Sequence, residues 1–261
     1  MNSVIDRVHA ISDVHGHLAP LDLALEHVDL ASDATAWLVF CGDYVDRGPE
    51  SAGVLRRIRE QQRAHPGRVH AVLGNHDVEF LEWLEGDAPY WLSADYDLET
   101  TRSFLPDEVV AQITEPHHGY HAYPADMDDM LRAEVLARHG DLIAWLRGLP
   151  LYVDLPHALY LHAGLDEDAG RWAIQATDDF TMTHKFPPSV GPSPIGKPIV
   201  AGHVRAGAVR GSDDYSSFYD GEGHWFVDGG VEFTGRLNVL TYHVRQARWE
   251  RWQTPYLAPT G

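Results

Sequence analysis

The sequence predicts an α/β protein in which a parallel sheet is built first and a second sheet follows. Over the first 85 residues, short apolar runs alternate with helical stripes. Each of the first three runs is followed by a loop rich in Asp, Asn and His. Asp13 to Asp43 spans 30 residues and Asp43 to Asn75 spans 32, about one βαβ repeat each. After residue 150, strand-length runs recur without helices between them.

Taken in order, 8–12 is a short apolar run and the first strand candidate. Residues 18–30 carry Leu18, Leu21, Leu25 and Val28, close to a helical stripe. The second strand is 37–41, and 50–65 is a helix carrying Val54, Leu55 and Ile58. A third strand covers 69–73, and 78–84 opens another helix. From 86 to 141 the pattern loosens into acidic and aromatic sequence around His117-His118-Gly119-Tyr120-His121, until 126–149 reads as helical. We read 87–141 as a cap-like insertion within a single domain spanning 1–261. Runs at 151–155 and 158–162 read as a hairpin turning at Pro156-His157, and 187–198 holds too many breakers for a regular element. Strands at 199–201, 225–228, 237–243 and 248–252 then suggest a second, mostly antiparallel sheet.

Composition excludes several classes. Twenty Lys and Arg against 39 Asp and Glu give a net charge of −19, which argues against a groove tracking a nucleic-acid backbone. A phosphate-bearing partner then needs local attraction, from metal ions or a few arginines. No apolar stretch approaches the roughly 20 residues that cross a bilayer, and the first residues lack a signal-peptide pattern. The one cysteine, Cys41, cannot form an intramolecular disulfide. These features predict a cytoplasmic protein.

The strand ends hold the chemistry, because ligands gather beyond the carboxyl ends of parallel strands. The loops read Ser12-Asp13-Val14-His15-Gly16, Gly42-Asp43-Tyr44-Val45-Asp46-Arg47-Gly48 and Gly74-Asn75-His76-Asp77. Two more histidines end later strands, in Leu161-His162-Ala163-Gly164 and Ala201-Gly202-His203-Val204. Asp13, His15, Asp43, Asn75, His162 and His203 therefore form a set of oxygen and imidazole donors. With no thiolate, the set suits Mn, Fe, Zn or Ni rather than a structural zinc. Two divalent ions against two aspartates leave about two positive charges to hold a phosphate.

These five motifs, in this order, resemble the calcineurin-like metallophosphoesterases, and within them the phosphoprotein phosphatase branch. The resemblance runs from Asp13 to His203 and implies a four-layer α/β/β/α sandwich with a partly helical insertion. It implies two divalent ions, manganese first, with Asp13, His15 and Asp43 on one and Asp43, Asn75, His162 and His203 on the other. His76 matches the family's proton donor to the leaving group, Asp46 the carboxylate that pairs with it, and Arg47 the arginine that grips phosphate. The implied activity is hydrolysis of phosphomonoesters, such as phosphoserine or phosphothreonine in proteins, by in-line attack of metal-bound hydroxide.

Within the family the signals point two ways. Asp46 looks like the protein phosphatases, whereas Asp77 and His162-Ala163-Gly164 resemble the symmetrical diadenosine tetraphosphate hydrolases. The protein phosphatases use a second phosphate-binding arginine between the last two motifs; here only Arg171, Lys185 and Lys197 are basic in that interval, none in a familiar context, and Lys185, Arg171 or nearby Arg205 are the candidates to replace it. His117, His118 and His121 read as solvated loop histidines, His17 and His224 as non-catalytic, and Cys41 as a packed small residue.

Overall fold

The computed structural model describes residues 5–88, 91–117 and 124–257. Two five-stranded sheets pack face to face. The first has the order β10-β9-β1-β2-β3, with β1 (Arg7–Ile11), β2 (Ala36–Phe40), β3 (Val69–Ala71), β9 (Asn238–His243) and β10 (Arg248–Gln253). The second has the order β4-β5-β6-β8-β7, with β4 (Tyr152–Leu155), β5 (Ala158–Leu161), β6 (Ile199–Ala201), β7 (Phe218–Tyr219) and β8 (His224–Phe226).

Alternation along the strands assigns each side chain to a layer. Val8, Ala10, Val39 and Leu240 of the first sheet meet Ala158, Tyr160, Val200 and Trp225 of the second in the core between the sheets. Ile11, Leu38, Phe40 and Val239 turn outward, against α1 (Leu18–Val28), α2 (Ser51–Ala64) and α3 (Asn75–Glu85). On the far side, Leu159, Leu161 and Ile199 are covered by Ala173 and Met182, from short helices at Ala173–Ala176 and Asp179–His184. The layers are helix, sheet, sheet, helix.

The first three strands pair in parallel, as the repeat spacing predicts. The hairpin of β4 and β5 closes through Leu155 opposite Ala158. The second sheet corrects the expectation of mostly antiparallel pairing. β6 runs parallel to both β5 and β8, and only β4 and the two-residue β7 pair antiparallel within that sheet. β9 and β10 cross to the first sheet instead, where Arg7 faces His243 and Ala10 faces Leu240. The physical reason is burial: beside β1, both faces of β9 are covered, Leu240 between the sheets and Val239 under the helices.

Residues 91–117 and 124–147 pack sideways against this frame. Short helices at Trp91–Ala94, Glu99–Phe104 and Asp107–Thr114 lead into the long helix Ala125–Arg147. Trp91, Phe104, Met127 and Leu131 join Phe80 and Trp83 of α3 in one apolar cluster, with Trp83 and Trp91 stacked at 4.6 Å. His118 and His121 lie outside the described residues.

A buried carboxylate braces the edge of the second sheet. Asp220 accepts hydrogen bonds from the backbone N–H groups of Gly191, Glu222, Gly223 and His224. Burial alone raises a carboxyl pKa, but these donors outweigh it and hold Asp220 down to about 2. A depressed carboxyl pKa stabilises the fold above the unfolded value of about 3.9 and loses that contribution as pH falls. The stability gap between wild type and Asp220→Asn is therefore expected to be constant above pH ~5 and to shrink toward pH ~2. Paired melting curves across that range check it.

Candidate active site

Three loops converge at one edge of the first sheet. The backbone there is unusual: of ten non-glycine residues with positive φ among the described residues, six belong to the sequence-predicted site. Asp13, His15, Asp43, Asp46, Arg47 and His203 have φ between 43° and 67°. Such left-handed backbone is costly away from glycine and persists only where the surroundings over-determine it, a pattern concentrated at functional sites.

Asp77 is one source of that constraint. Fully buried at the start of α3, its carboxylate accepts from the backbone N–H groups of Asp43 at 2.9 Å, Tyr44 at 2.9 Å and Gly74 at 3.0 Å. It ties the second loop to the third and fixes the direction of Asp43. Burial and the charge of Asp43 push its pKa up to about 7. Asp77→Asn turns one acceptor into a donor facing an N–H, and is expected to destabilise the fold by ~2–4 kcal/mol in chemical denaturation. Tyr44 adds a second brace, its hydroxyl donating to the Val72 carbonyl at 2.6 Å.

The donor groups meet around Asp43. Its Oδ1 lies 3.3 Å from His162 Nε2 and its Oδ2 3.6 Å from His15 Nε2. Two compact clusters share it, His15–Asp43–His76 and Asp43–His162–His203, with candidate ligand atoms within 4.8 Å of one another in each. Asn75 joins the second, its Oδ1 lying 3.1 Å from His162 Nε2 and 2.9 Å from His203 Nδ1. Asp13 stands one step back. Its Oδ1 is 3.9 Å from His15 Nε2, and its carboxylate accepts from Ser12 Oγ and from the His203 backbone N–H. A Cβ on Gly74 would collide with Asp43 Oδ1, and one on Gly202 with Asp13 Oδ2. Both carboxylates are thus backed against bare backbone.

The tautomers follow from the hydrogen bonds. His15 Nδ1 faces the Val45 carbonyl at 2.9 Å and His162 Nδ1 faces the Cys41 carbonyl at 2.8 Å. A carbonyl accepts only, so both rings donate from Nδ1 and aim Nε2 into the site. His15 Nε2 is buried without a hydrogen-bond partner. Burial holds the His15 pKa well below its ordinary value, so that nitrogen offers a lone pair toward two carboxylates. A bound cation would reconcile those groups, and the donor set of imidazole, carboxylate and amide oxygen fits divalent metals. Burial and the nearby Asp43 raise Asp13 to about 7, while His162, then His76, outweigh burial and hold Asp43 well below the carboxylate range.

Beside the donors lies a second group. His76 Nδ1 is 2.8 Å from Asp46 Oδ2, and Nε2 is 2.8 Å from Arg47. Burial disfavours charge on this ring, but Asp43 and the bond to Asp46 prevail and raise it to about 9. Asp46 Oδ1 in turn accepts from Thr100 Oγ1 at 2.9 Å. These groups open on a cavity of about 190 Å³ also lined by Trp91 and Glu99.

Of the candidates for a second phosphate-gripping cation, Lys185 is paired with Glu167 and the Leu165 carbonyl, and Arg171 stacks on Trp172. Only Arg205 approaches Arg47, through Glu232, which both of them face. Sequence reasoning missed Thr100, Glu232 and Asp228. Asp228 is a fully buried carboxyl whose pKa burial and Asp13 push well up. Its place at the end of β8 repeats the strand-then-carboxylate pattern and was readable; Thr100 and Glu232 carry no such signal. Cys41 is buried as expected, its thiol pKa pushed up by burial.

The family model described as calcineurin-like phosphoesterase matches residues 6–205. The chain is 33% identical over 171 residues to a symmetrical bis(5'-nucleosyl)-tetraphosphatase from Bordetella pertussis, covering 65% of this chain. The aligned part spans 47% of that relative's own length. A solved structure described as a candidate diadenosine tetraphosphatase superposes with a TM-score of 0.56 at 20% identity, covering 98% of this chain and 96% of that one. A protein serine/threonine phosphatase from Saccharomyces cerevisiae gives 0.54 at 14% identity, covering 98% and 82%. At such identities the superpositions speak for the fold alone. With the family model matched over most of its length, the chain belongs to the calcineurin-like phosphoesterases.

Proposed function

We propose that this chain is a two-metal phosphoesterase acting on phosphomonoesters, with phosphoserine or phosphothreonine in proteins as one substrate class. In this reading Asp13, His15 and Asp43 hold one ion and Asp43, Asn75, His162 and His203 the other, manganese first among the divalent candidates. When bound, the two ions supply Lewis acidity and a water of lowered pKa. The remaining work falls to three side chains. Arg47 grips phosphate oxygens with its planar fork. His76, protonated, gives the Nε2 proton to the departing oxygen. Asp46 accepts from Nδ1, keeping that ring charged and aimed, while Thr100 fixes Asp46. For His76 to serve, Arg47 turns its fork away from Nε2 and toward the phosphate. The lone cysteine fits a reducing, cytoplasmic setting.

The observation that carries the monoester reading is the His76–Asp46 pair at 2.8 Å. A serine or threonine alkoxide is a strongly basic leaving group and needs a general acid. A nucleotide leaving an anhydride is far less basic and needs little protonation. The second reading, a symmetrical dinucleoside tetraphosphate hydrolase using the same metals, is favoured by the name of the Bordetella relative. A competition assay on one manganese-loaded preparation separates them, with a phosphoserine peptide and diadenosine tetraphosphate in the same tube. Phosphate release exceeding ADP release supports the monoesterase; ADP in excess supports the alternative.

A further inference from the structure

We infer that Glu232 is an internal anion gate. It occupies a site between Arg47 and Arg205 that a substrate phosphate takes over, and Arg205 is the second residue gripping that phosphate. The inference deepens the proposed function and rests on the phosphoesterase reading for what enters the site.

The geometry is that of an anion clamped between two guanidinium groups. Glu232 Oε1 lies 3.1 Å from the Arg47 guanidinium and 3.9 Å from that of Arg205. The carboxylate is largely buried, at 9% exposure, and its other oxygen, Oε2, has no hydrogen-bond partner. A structural ion pair uses both oxygens of a buried carboxylate, since an unpaired one is costly. Here one oxygen is sacrificed to hold two cations together. Both terminal nitrogens of Arg47 are engaged in this arrangement, one on Glu232 and the other beside His76. A phosphate that takes both terminal nitrogens of the fork competes with Glu232 for one of them.

Arg205 is built to stay when Glu232 leaves. Its guanidinium lies 4.6 Å from the centre of the Phe233 ring, a cation–π seat, and its stem packs against the backbone of Gly230. Gly230 has φ 58°, and its N–H donates to Asp228 Oδ1 at 2.7 Å. Phe233 is 64% exposed, so this seat lies at the protein surface. A phosphate dianion carries more charge than the carboxylate and three acceptor oxygens, so two converging guanidinium groups favour the exchange. Glu232 thereby weakens the hold on every anion and leaves poorly charged ones outside.

The test reads binding rather than turnover. Inorganic phosphate is titrated calorimetrically into manganese-loaded protein, in wild type, Glu232→Gln, Arg205→Gln and the double variant. Glu232→Gln keeps the side-chain shape while removing the competing charge, and is expected to tighten phosphate about tenfold. Arg205→Gln is expected to weaken it about tenfold, with Arg205→Lys between. In the Arg205→Gln background, the gain from Glu232→Gln should fall below about twofold, because the two residues share one ligand. Unchanged affinity in Glu232→Gln, or a full gain without Arg205, overturns the gate. Phe233→Ala, at an exposed position that the core does not need, should weaken phosphate about threefold and gives a second arm if Glu232→Gln folds poorly. Should the hydrolysis assays fail while these shifts hold, the phosphoesterase reading falls and the anion site stands.

Discussion

Asp43→Asn is expected to lose both bound metal and turnover. The two oxygens of Asp43 face two different imidazoles, His162 on one side and His15 on the other. Asp43 is also the member common to both donor clusters. The amide removes a full negative charge from a buried site and turns one ligand oxygen into an N–H₂ that repels a cation. The fold should survive, since the Asp43 backbone N–H still reaches Asp77 and the amide oxygen can still accept from the His76 N–H. We expect wild type to carry near two ions per chain and the variant fewer than one, by elemental analysis. Turnover should fall by at least ~10³-fold, about 4 kcal/mol of lost transition-state stabilisation. Asp13→Asn is the contrast: of the site imidazoles its carboxylate faces only that of His15, at 3.9 Å, while its contact with His203 is to the backbone N–H, so the substitution should cost one ion. Near two ions per chain in Asp43→Asn, with unchanged rate, would remove the bridging role.

The parts of this site that the sequence disclosed are those in which function and local backbone share a short segment. Each of the first three motifs is a strand end followed by a loop and a helix, and the βαβ repeat fixes their spacing, so Asp13, Asp43 and Asn75 could be placed on one sheet edge before any coordinate. His162 and His203 were legible for a related reason: both end apolar strands that proved to be neighbours, β5 and β6. What the chain concealed is long-range. Nothing in the composition of β9 says whether it extends the second sheet or returns to pair with β1, because Val239 and Leu240 are apolar on both faces and would suit either. The two residues of β7 are too short for periodicity to register. Thr100 and Glu232 are ordinary side chains on ordinary helical turns, and only the tertiary fold brings them to their partners Asp46 and Arg47, 54 and 185 residues away in sequence. Asp77 was read as a clue to substrate; its three backbone hydrogen bonds give it a positioning task whichever phosphate ester is cleaved.

Asp46→Asn is expected to separate substrates by the basicity of their leaving groups. The substitution changes little in shape. The amide oxygen can keep the bond to His76 Nδ1, and the N–H₂ can donate to Thr100 Oγ1, which now donates to Asp46. What disappears is the charge that helps raise the His76 pKa to about 9. A general acid contributes about 10²–10⁴-fold where the departing oxygen needs a proton. For a phosphoserine peptide, kcat should therefore fall about 10²-fold, near 2.7 kcal/mol. For an aryl phosphate such as p-nitrophenyl phosphate, whose phenolate leaves readily, the loss should stay under about tenfold. Diadenosine tetraphosphate, releasing ADP, should behave like the aryl ester. His76→Ala should reproduce the same order with a larger span, because it removes the proton donor itself. An equal loss on all three substrates would mean that Asp46 merely holds the loop of Arg47, and would leave the choice between monoester and anhydride resting on the competition assay alone. A loss graded by leaving group ties the His76–Asp46 pair to proton donation, and an enzyme that maintains such a pair is organised for esters of poorly acidic alcohols.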